Sequence, residues 1–119
     1  MKKIKDCVNN DKFSIEQNVN RQENIQFIRD YNLYSSKQKK ILLSIEVEDF
    51  CHSLQNTKIG YEYEVLYVFC PQRTLSDAFG KEELIDIYTK FNIIEYANNK
   101  RVVTISFHRR NNPMDYAFR

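Results

Sequence analysis

The feature that most constrains this chain is a change of hydrophobic period, from helical three-and-four spacing early to two-residue alternation late. Across residues 84–94, apolar Ile85, Ile87, Phe91 and Ile93 alternate with Asp86, Tyr88, Lys90 and Asn92. Across residues 101–110, Val103, Ile105 and Phe107 alternate with Thr104, Ser106, His108 and Arg110. Successive side chains of a strand point to opposite faces, so each run predicts a strand with one core face and one open face. Joined by an odd-length loop such as Asn98-Asn99-Lys100, the two strands set Phe91 opposite Phe107 and Ile93 opposite Ile105 in the core. Lys90 then faces His108, and Tyr88 faces Arg110, on the open side. A two-residue Asn98-Asn99 turn would put Phe91 opposite Ser106 and is rejected for that reason.

Upstream, Ile25 and Ile28, with Phe27 and Tyr31, sit at helical spacings behind Glu23, which predicts a short amphipathic helix over residues 21–31. Ser35 or Ser36 can cap a second helix running into Ile41, Leu42 and Ile45, and a third turn over residues 47–54 would bury Phe50. Ile4, Cys7 and Val8 fit a turn and a half of helix, and the Asn-rich stretch after them reads as irregular. A β-branched and aromatic run over residues 61–69 adds a third strand, and residues 71–81, carrying Arg73 and Gly80, read as a long loop. Helices first and strands afterwards predict an α+β fold, with N-terminal helices packed on a small antiparallel sheet of three or more strands. Residues 1–119 are read as a single domain: an irregular start to residue 20, helices over 21–54, the sheet over 61–110 and a tail over 111–119.

At 119 residues, with 42% hydrophobic and 13% aromatic side chains and only two Gly and two Pro, the chain can bury one core and is not of disordered or collagenous composition. No apolar run approaches a membrane span and the charged start lacks a signal-peptide core, which leads us to expect a cytoplasmic protein with no membrane partner. Three cysteines at long spacings match no disulfide framework, and Cys51 and Cys70 are expected to pack as small hydrophobes. His52 and His108 lie 56 residues apart, so no metal site and no cofactor are expected from spacing. Charge is segregated: nine Lys and Arg against five Asp and Glu in residues 1–40, four against ten in 41–96, and five against one in 97–119. Lys100, Arg101, Arg109, Arg110 and Arg119 are therefore either a phosphate-binding surface or a solvated face.

Tyr88, Lys90, Ser106, His108 and Arg110 on one open face combine an aromatic hydroxyl, fixed cations, a hydroxyl and an imidazole. Cleavage of RNA through its 2′-hydroxyl needs such a set: a base for that proton, cations for the phosphorane charge and an acid for the departing 5′-oxygen. Histidine can serve as base or acid, Lys and Arg stabilise anionic charge, and Tyr can stack on a nucleobase. The competing reading is a polar strand face exposed for solubility, and, for His52, a structural histidine.

Residues Glu48-Asp49-Phe50-Cys51-His52-Ser53-Leu54, Tyr67-Val68-Phe69, Ile87-Tyr88-Thr89-Lys90-Phe91, Ile105-Ser106-Phe107-His108 and Pro113-Met114-Asp115-Tyr116 occur in an order and spacing that resemble the MqsR-like toxins of bacterial toxin–antitoxin systems. The resemblance covers residues 21–119. It implies a RelE-like α+β fold and a metal-independent endoribonuclease, an mRNA interferase, held in check by a cognate antitoxin protein. Carried over residue by residue, it places functional positions at His52, Tyr88, Lys90 and His108, the two histidines standing where the family pattern has lysine. A functional glutamine of the family has no counterpart around Leu66. The catalytic candidates are thus His108, His52, Tyr88 and Lys90, and the RNA-binding candidates are Arg110, Arg109, Ser106 and Ser53. The alternative is a non-catalytic RNA-binding or protein-interaction module of the same fold.

Overall fold

The structure, a computed structural model, describes residues 2–17, 21–34, 36–96 and 99–118. Helix α1 (Lys2–Asn9) forms because Ile4, Cys7 and Val8 make one apolar stripe, and all three are buried. Helix α2 (Gln22–Asp30) buries Asn24, Phe27 and Ile28, carries Glu23 in its first turn and Arg29 in its last, and is stopped by Asn32 in the left-handed region (φ 52°). Helix α3 (Ser36–Ser44) buries Gln38, Ile41 and Leu42. Ser36 begins this helix, while the other proposed cap, Ser35, lies outside the described residues.

Among the described residues, six strands form one sheet in the order β1-β6-β5-β3-β2, with β4 pairing β5 beside β3. Their ranges are β1 Phe13–Ile15, β2 Phe50–Gln55, β3 Val65–Phe69, β4 Gln72–Ser76, β5 Glu82–Tyr96 and β6 Asn99–Arg109. The α+β class stands, but the sheet is mixed rather than antiparallel, because β1 runs parallel to β6. Three local readings are corrected. The stretch read as irregular supplies β1; the long loop over 71–81 contains β4; and the turn over 47–54 is helical only at Val47–Asp49 before Phe50–Gln55 extends as the edge strand β2. Each correction has one cause: a short segment with weak periodicity of its own extends when a neighbouring strand offers unpaired N–H and C=O groups.

The helices cover one face of the sheet. Phe27, Ile28, Ile41, Leu42 and Ile45 pack there with Phe69, Ile85, Ile87, Phe91, Val102 and Phe107 in one apolar cluster. Phe27 meets Phe107 edge-on at 5.5 Å between ring centres, and Phe69 meets Phe91 likewise at 5.8 Å. The opposite face carries a smaller cluster of Cys51, Val68 and Cys70, against which Tyr88, Met114 and Tyr116 pack. The C-terminal tail is fastened across that face: the Tyr116 hydroxyl donates to the Cys70 carbonyl at 2.7 Å and the Ala117 N–H to the Phe50 carbonyl at 3.0 Å. Cys51 and Cys70 are buried and unbridged, as small hydrophobes would be.

The register of β5 and β6 differs from the one expected. Phe91 pairs with Thr104 and Ile93 with Val102, yet Lys90 pairs with Ser106 and Tyr88 with His108. Ile105 is thus an extra residue in β6, a β-bulge, and strict alternation holds only on either side of it. Of the proposed odd-length loop, Asn99 and Lys100 belong to β6, and Asn98 lies outside the described residues. The bulge leaves a local defect. Thr104 Oγ1 is buried without a hydrogen-bond partner among the described residues, which costs stability. Thr104→Val keeps the shape and removes the hydroxyl, and should raise the unfolding free energy by roughly 1 kcal/mol in denaturant titration.

Candidate active site

The bulge in β6 decides which side chains reach the uncovered face. From the hairpin end the ladder pairs Asn92 with Val103 and Phe91 with Thr104. Continued without interruption, it would set Lys90 opposite Ile105 and Tyr88 opposite Phe107, and paired residues share a face. The extra residue resets the pairing, so Ser106 and His108 join Lys90 and Tyr88, while Phe107 turns into the core with no exposed surface. A second bulge acts in β2. Phe50 pairs with Phe69 and packs with the helices, Cys51 is the extra residue, and His52 pairs with Val68 on the opposite side. One row across the sheet therefore reads His52, Val68, Lys90, Ser106, in four adjacent strands.

A cavity of about 380 Å³ opens on this row, lined by His52, Tyr88, Lys90, Ser106 and His108, by Arg21 from the start of α2, and by Asn111, Asn112 and Met114 from the tail. All four catalytic candidates and Ser106 meet there. Ser53 does not: it pairs with Tyr67, whose ring packs with the helices, and is exposed on the other side of β2. Arg109 and Arg110 also stand apart. The Arg109 guanidinium holds Glu83 at 3.0 Å and 3.1 Å and donates to the Tyr31 hydroxyl at 2.6 Å, and Arg110 Nε donates to Asp86 at 2.8 Å. Hydrogen bonding from Arg109, then from Tyr31, holds the Glu83 carboxyl below the usual range. These arginines serve carboxylates and do not face the cavity. The five-cation surface is not assembled either. Arg101 and Arg109, eight residues apart in one strand, are separated by about 27 Å of backbone; Arg119 lies outside the described residues.

Within the cavity the electrostatics are uneven. Lys90 is half-buried and makes no hydrogen bond or ion pair among the described residues. Burial, then the Arg21 guanidinium, pushes its pKa below the ordinary lysine range, with Glu16 opposing. Glu16 itself pairs with Arg21 at 3.2 Å. The His108 ring stacks on Tyr88, with centres 5.4 Å apart and planes at 28°. Its Nδ1 lies 2.8 Å from the Arg109 carbonyl oxygen. A carbonyl only accepts, so Nδ1 carries the proton in that bond, and in the neutral ring Nε2 keeps its lone pair. Glu23 of α2 stands 3.6 Å from the same Nδ1 and accepts from Asn111 Nδ2 at 2.9 Å. Burial first, then Cys51 and Cys70, pushes the Tyr88 phenol up, so it stays a hydrogen-bond donor.

The sequence reading missed Arg21, Glu23, Asn111, Asn112 and Met114. Adjacency to the end of β6 is a usable signal for Asn111 and Asn112, whereas Arg21 and Glu23 arrive only through packing of α2 against β6. Among the described residues, no group of three or more His, Cys, Asp and Glu side chains is placed to hold a metal ion, and no helix is long and apolar enough to cross a membrane. Comparison with protein-family models, curated proteins and solved structures found no match to this chain.

Lys90 carries a stability consequence. Its pKa is lower folded than unfolded, so at neutral pH the fold carries a disfavoured charge, and stability rises as pH climbs from the folded toward the unfolded value. Lys90→Met should melt higher than the native chain at pH 7 by calorimetry, with the gap narrowing toward the ordinary lysine range.

Proposed function

We propose that this chain is a metal-independent endoribonuclease of RelE/MqsR-like fold, the toxin of a toxin–antitoxin system, cleaving mRNA by attack of the 2′-hydroxyl on the neighbouring phosphodiester. The observation that carries this reading is the Lys90 ammonium, which has no ion-pair or hydrogen-bond partner among the described residues, in a cavity flanked by His52, His108 and Arg21. A half-buried cation with no direct ion pair is costly until an anion arrives. A phosphodiester is such an anion, and the side chains around it are those transesterification needs. The ordered resemblance of residues 21–119 to MqsR-like toxins supports the same reading and implies a cognate antitoxin as protein partner.

In this scheme His108 Nε2 takes the proton of the 2′-hydroxyl, with Nδ1–H anchored on the Arg109 carbonyl. The 2′-oxygen bonds to phosphorus as the bond from phosphorus to the 5′-oxygen breaks. Lys90 and Arg21 stabilise the non-bridging oxygens, and His52, protonated, gives its proton to the 5′-oxygen. The products are a 2′,3′-cyclic phosphate and a 5′-hydroxyl. His52 and His108 come from strands three spacings apart and stand two residues out of row, roughly 16 Å between backbones, with the strand of Lys90 between them. Tyr88 offers its ring to a nucleobase and its hydroxyl as a donor.

Incubation of labelled mixed-sequence RNA with the purified protein in excess EDTA should yield cyclic-phosphate ends. His108→Ala should slow cleavage by about 10²- to 10⁴-fold while RNA affinity is largely kept. Intact RNA with folded native protein, in the presence and absence of ribosomes, would instead favour a non-catalytic RNA-binding module.

A further inference from the structure

Asn24 has little reason to be inside. It occupies the apolar stripe of α2 beside Phe27 and Ile28, with 1% of its surface exposed, at a position where an aliphatic residue would complete the helix–sheet contact. Burying an amide there is costly unless each polar atom is satisfied. It is satisfied at the bulge. Asn24 Nδ2 donates to the Ile105 carbonyl at 2.9 Å and to the Glu16 carbonyl at 3.0 Å, and its Oδ1 accepts from the Phe107 N–H at 2.8 Å. Ile105 is the unpaired residue of β6, and Phe107 is two residues beyond it, where the register has been reset. The side chain thus spans the kink, satisfying the Ile105 carbonyl and the Phe107 N–H on either side of Ser106, beyond the point where β1 stops pairing β6.

We infer that Asn24 is a positioning residue for the proposed cleavage: by bridging Ile105 and Phe107 it holds the bulge that puts Ser106 and His108 on the open face beside Tyr88 and Lys90. Its role in catalysis rests on the ribonuclease reading; its hold on the bulge does not. Asn24 is not among the residues lining the cavity, so its effect passes through the backbone it holds. The neighbouring Glu16 carbonyl ties the segment after β1 into the same clasp, and that segment also carries the carboxylate that pairs with Arg21. One amide therefore couples the placement of the base to that of a phosphate-facing cation.

The test compares Asn24→Ala with Ile41→Val, which trims the core under α3, away from the cavity. Three readouts are taken on the native chain and both variants: exchange of the Phe107 amide, the His108 imidazole signals shifted by the Tyr88 ring, and kcat and KM on RNA in EDTA. In Asn24→Ala the Phe107 amide should exchange about tenfold faster and the His108 signals should move toward those of an unstacked ring. Its kcat should fall about a hundredfold with KM little changed. Ile41→Val should lower the melting temperature and leave all three unchanged. Wild-type amide protection and His108 signals in Asn24→Ala would overturn the assignment, as would a kcat loss matched by Ile41→Val. Should Asn24→Ala not fold, Asn24→Asp, which keeps the acceptor for Phe107 and loses both donors, takes its place; failure of both to fold while Ile41→Val folds makes the residue purely structural and overturns it. If the native chain cuts no RNA, the ribonuclease reading fails by itself, and the two spectroscopic readouts still decide whether Asn24 holds the bulge.

Discussion

One extra residue in the last strand governs this molecule. Because side chains alternate along a strand, inserting Ile105 into β6 exchanges the faces of everything beyond it relative to β5. Phe107 thereby seals the core against Phe27, and His108 reaches the open side to stack on Tyr88. A regular ladder would bury the imidazole under α2 and expose the phenyl ring. The buried amide of Asn24 supports this irregular arrangement, since it satisfies the Ile105 carbonyl and the Phe107 N–H on either side of Ser106. The same device appears in β2, where Cys51 as the extra residue brings His52 round to the face opposite Phe50. Both histidines owe their shared cavity to a break in alternation.

Charge is divided between two ends of the same strands. At the far end of β5, Arg109 and Arg110 are consumed by Glu83 and Asp86, with Tyr31 completing the cluster. Those pairs are exposed and contribute little individually, but they remove two guanidinium groups from the pool available to a polyanion. Lys90 has no such ion pair among the described residues. Its position between Val68 and Ser106, under the Arg21 guanidinium, raises the cost of its charge and leaves it as the group most improved by an incoming anion. Net charge alone does not make this distinction, because it counts satisfied and unsatisfied cations alike.

Much of the candidate site was legible in the sequence. The alternation of Ile85, Ile87 and Phe91 with Tyr88 and Lys90 holds throughout β5, whose core positions pack under the helices. In β6 the same reasoning succeeds for Phe107 and His108, which follow the bulge, and fails for Val103 and Ile105, which precede or form it and are only partly buried. The hairpin pairing failed earlier, at the turn itself: Tyr96 already pairs with Asn99, so the ladder starts three residues away from the expected register and the bulge shifts it by only one. The short strands β1 and β4 escaped because three or five residues carry too little periodicity to be seen without the partner that recruits them.

The sequence by itself determined the α+β class, the amphipathic helices and which side chains of β5 face away from the core, because these depend on the order of apolar and polar residues along a short length of chain. The tertiary structure alone decided the register of β6, the parallel docking of β1, the loss of Arg109 and Arg110 to acidic partners, and the arrival of Arg21 and Glu23 beside His108. Those features depend on hydrogen bonds and charges that meet only when α2 lies against β6. Asn24 marks the boundary between the two: it stands in a helical stripe as a polar residue among apolar ones, and only the bulge 81 residues further along the chain explains it.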